Sequence, residues 1–578
     1  MCRVVCILVA GSLAFPACQQ QGTDAVSAAA GQWFVDVTDR VGLHFQHDAG
    51  TTGDYFMPQI MGSGGAVLDF DNDGRLDVYL VHNAGPQSGS RNQLFHHEPD
   101  GSFRDVSAGS GLDVAGYCMG VAVADVNNDG WVDVLLLEYG RVRLFLNQGM
   151  GKFSDITESA GLGNPAWASS AAFFDYDRDG WLDLVIVNYL HYDPAVRCTT
   201  AGGRPDYCHP SVFPGTIARL YRNATGKQGA PVRFADVTLS AGLGRLPGRG
   251  LGVTCADFDG DDWPDIFVAN DSQANRLWLN RGNGTFAEEA VQRGVAFDGV
   301  GQARANMGVA LGDVNRDGLF DIFVTHLTEE FHTLWVQRPA GIYRDRTAAC
   351  GITAGRWRGT GFGTVLCDFD HDGWLDLALV NGRVTQRKTG ERGIHFWDIY
   401  AERNQLFRGR PNGSFQDISQ EQPNWSGRPG VYRGLICADL DNDGRPDLLV
   451  TQVAGPARVF RNVATPTGHW LRVSSLVPEQ RRRAYGTVVT VHAGGQRWVG
   501  LCQPGFSYQV SNDPRVHFGL GDVSVVDFIE VLWPDGSRER FAGAVDREVV
   551  VEYGRGQRIT REPTSRRSRP GSIASLRP

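Results

Sequence analysis

One nine-residue pattern, D-x-[DN]-x-D-[GD]-x-x-D, constrains what this chain can fold into more than any other feature, because it returns seven times. The copies are DFDNDGRLD at 69–77, DVNNDGWVD at 125–133, DYDRDGWLD at 175–183, DFDGDDWPD at 257–265, DVNRDGLFD at 313–321, DFDHDGWLD at 368–376 and DLDNDGRPD at 439–447. Each follows a run of small and apolar residues and leads into another, such as VYLVHN, VLLLEY or LVIVNY, with strand length and strand composition. A third strand-like piece comes next (NQLFHH, RLFLNQ, RLYRN, NRLWLN, TLWVQ, NQLFRG, RVFRN). An aromatic-x-acid motif then follows as FRDV at 103, FSDI at 153, FADV at 234, FAEE at 286, YRDR at 343 and FQDI at 415. The seventh such motif, FVDV at 34, stands before the first Asp loop.

Four short strands per unit describe a propeller blade. The last unit lacks its aromatic strand and the chain begins with a spare one, so the first strand is expected to complete the last blade. The expected fold is all-β: a seven-bladed β-propeller over 33–462, a linker at 463–468, and a small β-sandwich-like domain over 469–553.

Four carboxylates in a short turn repel one another unless a cation sits among them, and a hard divalent ion with six to eight oxygen ligands removes that cost. Positions 1, 3, 5 and 9 supply side-chain oxygens, and Gly at position 6 permits a left-handed turn around the ion. The expected ligands are Asp69, Asp71, Asp73 and Asp77; Asp125, Asn127, Asp129 and Asp133; Asp175, Asp177, Asp179 and Asp183; and Asp257, Asp259, Asp261 and Asp265. The set continues with Asp313, Asn315, Asp317 and Asp321; Asp368, Asp370, Asp372 and Asp376; and Asp439, Asp441, Asp443 and Asp447. Up to seven Ca2+ ions are expected, with metal binding coupled to folding. Asp262 replaces the glycine in the fourth copy, where a distorted site is expected.

The ends of the chain read differently. MCRVVCILVAGSLAFPACQQQ has the outline of a secretory signal over 1–18, too short for a membrane span. Two outcomes stay open: lipidation at Cys18, or ordinary cleavage nearby or in Ala28-Ala29-Ala30. Residues 19–32 read as a tether, and 554–578 as a disordered basic tail. Export fits Cys198 and Cys208, ten apart in a loop-like stretch, as a disulfide. Cys255, Cys367 and Cys437, inside apolar runs, read as buried strand residues. A formal net charge of −10 argues against a nucleic-acid partner. Membrane contact is expected only through an N-terminal lipid, and the location is exported: periplasmic, outer-membrane-anchored or extracellular.

Embedded in GGAVLDFDNDGRLDVYLV and GTVLCDFDHDGWLDLALVNG, the Asp loops resemble the FG-GAP or VCBS repeats of integrin-alpha-type propellers. GHWLRVSSL at 468–476, VHFGLG at 516–521 and VDFIEVLWPDGSRERF at 526–541 resemble the ASPIC/UnbV domain. Together they are similar to the cartilage acidic protein family, which is defined by architecture rather than by a shared reaction. Where that family often reads N-G-H after the sixth loop, this chain has Asn381-Gly382-Arg383, so no role is carried over for that histidine.

HExxH, CxxC, P-loop, GxSxG and GxGxxG patterns are all absent from the sequence. Strand parity puts the three longest insertions on the side opposite the Asp loops: 39–62 with His44 and His47, about 188–217 with His191 and His209, and 381–402 with Arg383, His395 and Trp397. These loops are expected to form one recognition surface, although the same histidines and Trp397 fit loop packing. Trp131, Trp181, Trp263 and Trp374, at position 7 of their loops, are expected to pack on neighbouring blades. The expected function is a calcium-stabilised binding or adhesion module for a protein or glycan. The alternative is an enzyme or accessory subunit acting on a polysaccharide or other secreted substrate, which would need His44, His47, His191, His209 and His395 to converge.

Overall fold

The computed structural model describes residues 31–355, 357–386 and 395–559. The signal segment, Cys18, nearly all of the tether and the tail beyond 559 lie outside the described residues. Within them the structure is all-β, in four- and five-stranded sheets with one two-stranded ribbon.

The sequence units become sheets one for one. The second is typical: Cys118–Ala124, Asp133–Glu138, Arg141–Asn147 and Phe153–Asp155 pair antiparallel in chain order. Position 9 of every Asp loop is the first residue of its sheet's second strand, as at Asp77, Asp133 and Asp183. The seventh sheet joins Tyr432–Ala438, Asp447–Gln452 and Arg458–Asn462 to the distant Phe34–Asp36, with Phe34 opposite Asn462. Second strands such as Asp133–Glu138 are buried at every residue, because both faces of each sheet are covered by neighbouring sheets. Phe174, Val185, Ile266 and Trp278 fill the space between the third and fourth sheets.

The C-terminal part has two sheets. In one, His469–Val477 pairs antiparallel with Val516–Gly521 and parallel with Arg547–Glu552. In the other, Val488–Ala493 lies between Gln496–Leu501 and Phe528–Leu532. A single core joins Val473, Trp498 and Val531 to Leu135 and Phe173 of the repeats. Gln557–Arg558, beyond the expected start of the tail, adds a short strand beside Arg538–Phe541.

Between those sheets, residues 503–512 run among the repeats and hydrogen-bond to six of their sheets. Val510 lies parallel to Gly65 as a fifth strand of the first sheet. Gln509 O accepts from Val121 N at 3.3 Å, and Gln503 Nε2 donates to Phe173 O at 3.1 Å. Ser507 N donates to Val309 O at 2.6 Å while its Oγ accepts from Thr364 N at 3.0 Å. Asn512 Oδ1 takes Cys437 N at 2.9 Å.

These facts correct the expected seven-bladed β-propeller followed by a small β-sandwich-like domain. The strand pairing leaves several separate four- to five-stranded sheets, none closed into a barrel, solenoid or propeller arrangement. Four strands per unit dictate the content of each sheet and say nothing about closure. The first unit also takes its fifth strand from the C-terminal part, which a count of repeats cannot foresee.

Candidate metal centres

The backbone of each Asp loop turns left-handed twice. Position 6 has φ from 72° to 90°, glycine in six copies and Asp262 in the fourth. Position 4 is left-handed as well, at Asn72, Asn128, Arg178, Gly260, Arg316, His371 and Asn442. Between these turns the amides point inward, and the position 1 carboxylate accepts two of them. Asp125 takes Asp129 N at 3.1 Å and Gly130 N at 2.8 Å. Asp313 takes Asp317 N at 3.0 Å and Gly318 N at 2.7 Å. Asp262 holds the same turn, so the fourth loop keeps the geometry and bears the strain of a side chain at φ 72°.

Position 9 is bound from both sides. Asp133 accepts Val126 N from its own loop at 2.9 Å and Asn147 N from the third strand at 2.8 Å. Asp376 does the same with Phe369 N at 2.9 Å and Gly409 N at 2.7 Å. This carboxylate therefore ties the loop to the sheet whether or not an ion is bound.

The remaining oxygens crowd together. In the loops at 69–77, 175–183, 257–265 and 368–376, the carboxylates of positions 1, 3 and 9 each bring an oxygen within 4.8 Å of the others. Burial, reinforced by the neighbouring carboxylates, pushes Asp175 and Asp257 up to about 7 and Asp313 up to about 6. Asp77 and Asp321 rise to about 8, chiefly through burial. The Oδ1 atoms of Asp71, Asp177 and Asp259 are buried without a hydrogen-bond partner. Clustered hard oxygens, penalised for their own charge and with a lone pair to spare, fit a divalent cation of the calcium or magnesium kind.

A compensation that the sequence pattern did not suggest runs through the third strands. The residue just before each third strand's inward amide is basic in four units, and there it reaches the acids. His96 lies 3.0 Å from Asp71, Arg222 2.6 Å from Asp177, Arg408 2.6 Å from Asp370 and Arg461 2.7 Å from Asp441. The other three units carry Leu146, Leu279 and Val336. Two of these loops have Asn127 or Asn315 in place of a carboxylate, and the third draws Arg293 to within 3.3 Å of Asp259. An aromatic–basic alternation in the third strands was the available signal.

Neighbouring loops also touch. Asn128 Nδ2 donates to Gly180 O at 3.2 Å, and Arg178 Nη2 to Asp262 O at 2.6 Å. Arg178 lies 3.7 Å above the ring of Trp263, and Arg316 3.8 Å above Trp374, so these two position 7 tryptophans pack against the preceding loop. Trp131 lies against Gly149 of its own unit.

The three long insertions meet. Tyr55 packs edge-on against Tyr207 at 5.3 Å and lies 5.7 Å from Phe396, while Tyr207 stacks with Trp397 at 6.5 Å. The Cys198–Cys208 disulfide is present and staples the middle insertion. Tyr508 reaches this cluster, 4.8 Å from Phe362, with its hydroxyl donating to Met61 O at 3.2 Å. Beneath lies the fully buried Arg433, which donates to the carbonyls of Ile60 and Gly382 and sits 3.9 Å over Phe362.

The five histidines are distributed among different partners. His47 is buried, accepts from Ala454 N and stacks at 5.9 Å on His82, and burial with His82 beside it pushes it down to about 3. His44 and His191 are exposed. His209 turns to Ser211 at 2.8 Å, and His395 caps a short helix with Asp398. Arg383 pairs with Glu329 at 3.0 Å.

Comparison with known proteins gives two family matches. The FG-GAP-like repeat matches 69–136, 125–186, 257–324 and 368–450, and ASPIC and UnbV matches 477–558. Cartilage acidic protein 1 of Homo sapiens is 28% identical over 372 residues, covering 62% of this chain and 52% of that protein. The Mus musculus protein is 29% identical over 343 residues, covering 57% and 49%. The chain thus spans about half the length of the curated relatives it matches. Among solved structures, an Agrocybe aegerita protein described for recognition of non-reducing terminal N-acetylglucosamine overlaps at TM-score 0.36 with 13% identity, over 64% of this chain and 84% of that one.

Proposed function

Because the chain carries FG-GAP-like repeats and a C-terminal ASPIC/UnbV domain, matching members of the cartilage acidic protein-like family, we propose that it is an exported calcium-binding module that holds a protein or glycan. The observation that carries the metal part is the cluster of Asp368, Asp370 and Asp376, all buried, with oxygens within 4.8 Å of one another. Burying three carboxylates costs several kcal/mol per charge unless a cation or protons neutralise them. Calcium suits a site of oxygens alone with flexible geometry. The ligands are the side chains at positions 1, 3, 5 and 9 of the loops, and the disulfide supports export to an oxidising compartment.

For the partner, the support is the meeting of the insertions around Tyr55, Tyr207 and Trp397, since amphipathic aromatic rings favour both protein contacts and sugar stacking. The test is thermal unfolding of the mature protein in EDTA and in calcium, with bound calcium counted by elemental analysis. Each site filled at one hundred times its dissociation constant adds about 2.7 kcal/mol, so several sites raise the midpoint by many degrees. An unchanged midpoint with no bound calcium rejects the metal assignment. Loss of glycan-array or pull-down binding in Tyr55→Ala and Trp397→Ala, with the calcium shift intact, supports the recognition surface.

A further inference from the structure

The loop at 439–447 differs from its six counterparts in what neutralises it. Asp439, at position 1, accepts from Nη1 of Arg472, on the first strand of the C-terminal part, and both residues are almost fully buried. Arg472 is balanced on its other side by Glu548 at 2.7 Å. Arg515, from the same part of the chain, donates to Asp439 O at 3.0 Å and to Asn442 Oδ1 at 2.6 Å while pairing with Asp513. Asp441 pairs with Arg461 at 2.7 Å, and Asp443 pairs with Arg445. Positions 1, 3 and 5 thus each hold a different guanidinium.

At the other six position 1 aspartates, among the described residues, the carboxylate takes its hydrogen bonds from the loop's own amides. Trp470 closes the arrangement: a Cβ added at Gly444 would meet its indole at 2.2 Å. Arginines also reach positions 3 and 5 of other loops, so what sets this loop apart is position 1: a divalent ion there would face the buried Arg472, held from behind by Glu548, and repel it.

We propose that the loop at 439–447 is a docking clasp for the C-terminal domain rather than a seventh cation site, with arginines standing where the other loops take calcium. This rests on reading the other loops as calcium sites. The clasp needs Asp439 for its bidentate-capable, charge-assisted pairing with Arg472, and it should hold in calcium and EDTA alike.

The test is calcium counting on the full chain by native mass spectrometry, for wild type, Asp439→Asn and Asp175→Asn, with hydrogen exchange of the wild type during a calcium titration. At most six ions are expected, with one fewer in Asp175→Asn and an unchanged number in Asp439→Asn. Asp439→Asn should also expose residues 469–477 to faster exchange with or without calcium. If Asp439→Asn does not fold, the wild-type titration decides: amides 440–444 should keep their exchange rate while those of 126–130 slow. Seven ions, a loss of one in Asp439→Asn, or calcium-dependent slowing at 440–444 overturns the clasp and leaves the calcium assignment standing. No calcium on any variant overturns the calcium assignment, and the clasp falls with it.

Discussion

At the residue scale, aspartates that look alike in sequence divide the work within one loop. Asp133 holds two backbone amides, whereas Asp129 accepts Trp131 N and presents its other oxygen to Asn127. Asp133→Ala strands two buried donors at about 1–3 kcal/mol each, so chemical denaturation in EDTA should show a loss of about 2–6 kcal/mol, and a larger one in calcium, where a ligand is lost as well. Asp129→Asn keeps the amide bond, so its stability in EDTA should stay within about 0.5 kcal/mol of wild type while its gain from calcium shrinks. The residue types at positions 1, 3, 5 and 9 announced a cation site, and glycine announced one left-handed turn. The second turn, at position 4, stayed hidden because Asn, Arg, Gly and His share no property there beyond occupying it. Position 9's structural role was equally hidden, since a carboxylate that accepts amides and one that binds metal are the same letter.

At the element scale, the strands were legible because their apolar runs and turns repeat in register, and the third-strand basic residues set how much of each loop's carboxylate charge the protein neutralises itself. Arg222 spans Asp177 and Asp179 at 2.6 and 3.0 Å. In Arg222→Leu, which copies the unit containing Leu146, the midpoint in EDTA should fall and the calcium increment should grow, as read by differential scanning calorimetry. The loops also fix the pH response of the metal-free protein. Burial raises Asp125, Asp175 and Asp257 from an ordinary 3.8 to about 6 or 7, so the fold binds protons that the unfolded chain has released. That stabilisation is complete below pH 3.8 and disappears as pH rises through the raised values. In EDTA the midpoint contributed by these groups should decline from pH 5 to pH 8, and the gap between calcium and EDTA should widen over the same interval. A constant gap would show that protons and calcium do not compete for these carboxylates.

At the scale of the whole molecule, the sequence was silent on the feature that knits it together. QPGFSYQVSN reads as an ordinary connection between strands, yet Ser507 and Gln509 adopt φ of 75° and 60° so that successive amides and carbonyls meet different sheets. Local patterning carries no information about a partner hundreds of residues away, which is also why a count of units suggested a closed ring that the strand pairing does not show. Tyr508→Ala removes a fully buried ring from the middle of this segment. It should cost about 3–5 kcal/mol and, by loosening Met61 and Phe362, weaken any ligand held by Tyr55 and Trp397. Unchanged denaturation would show that the segment follows the sheets rather than organising them.

Synthesis runs from the N-terminus, so residues 503–512 are made only after all seven repeat units. Phe34–Asp36 must wait for Arg458–Asn462, and the first strands of six sheets must wait for a segment that appears more than 180 residues after Val309. The repeats are therefore made with their interior edges still unoccupied. Time, more than any single contact, is what this arrangement demands.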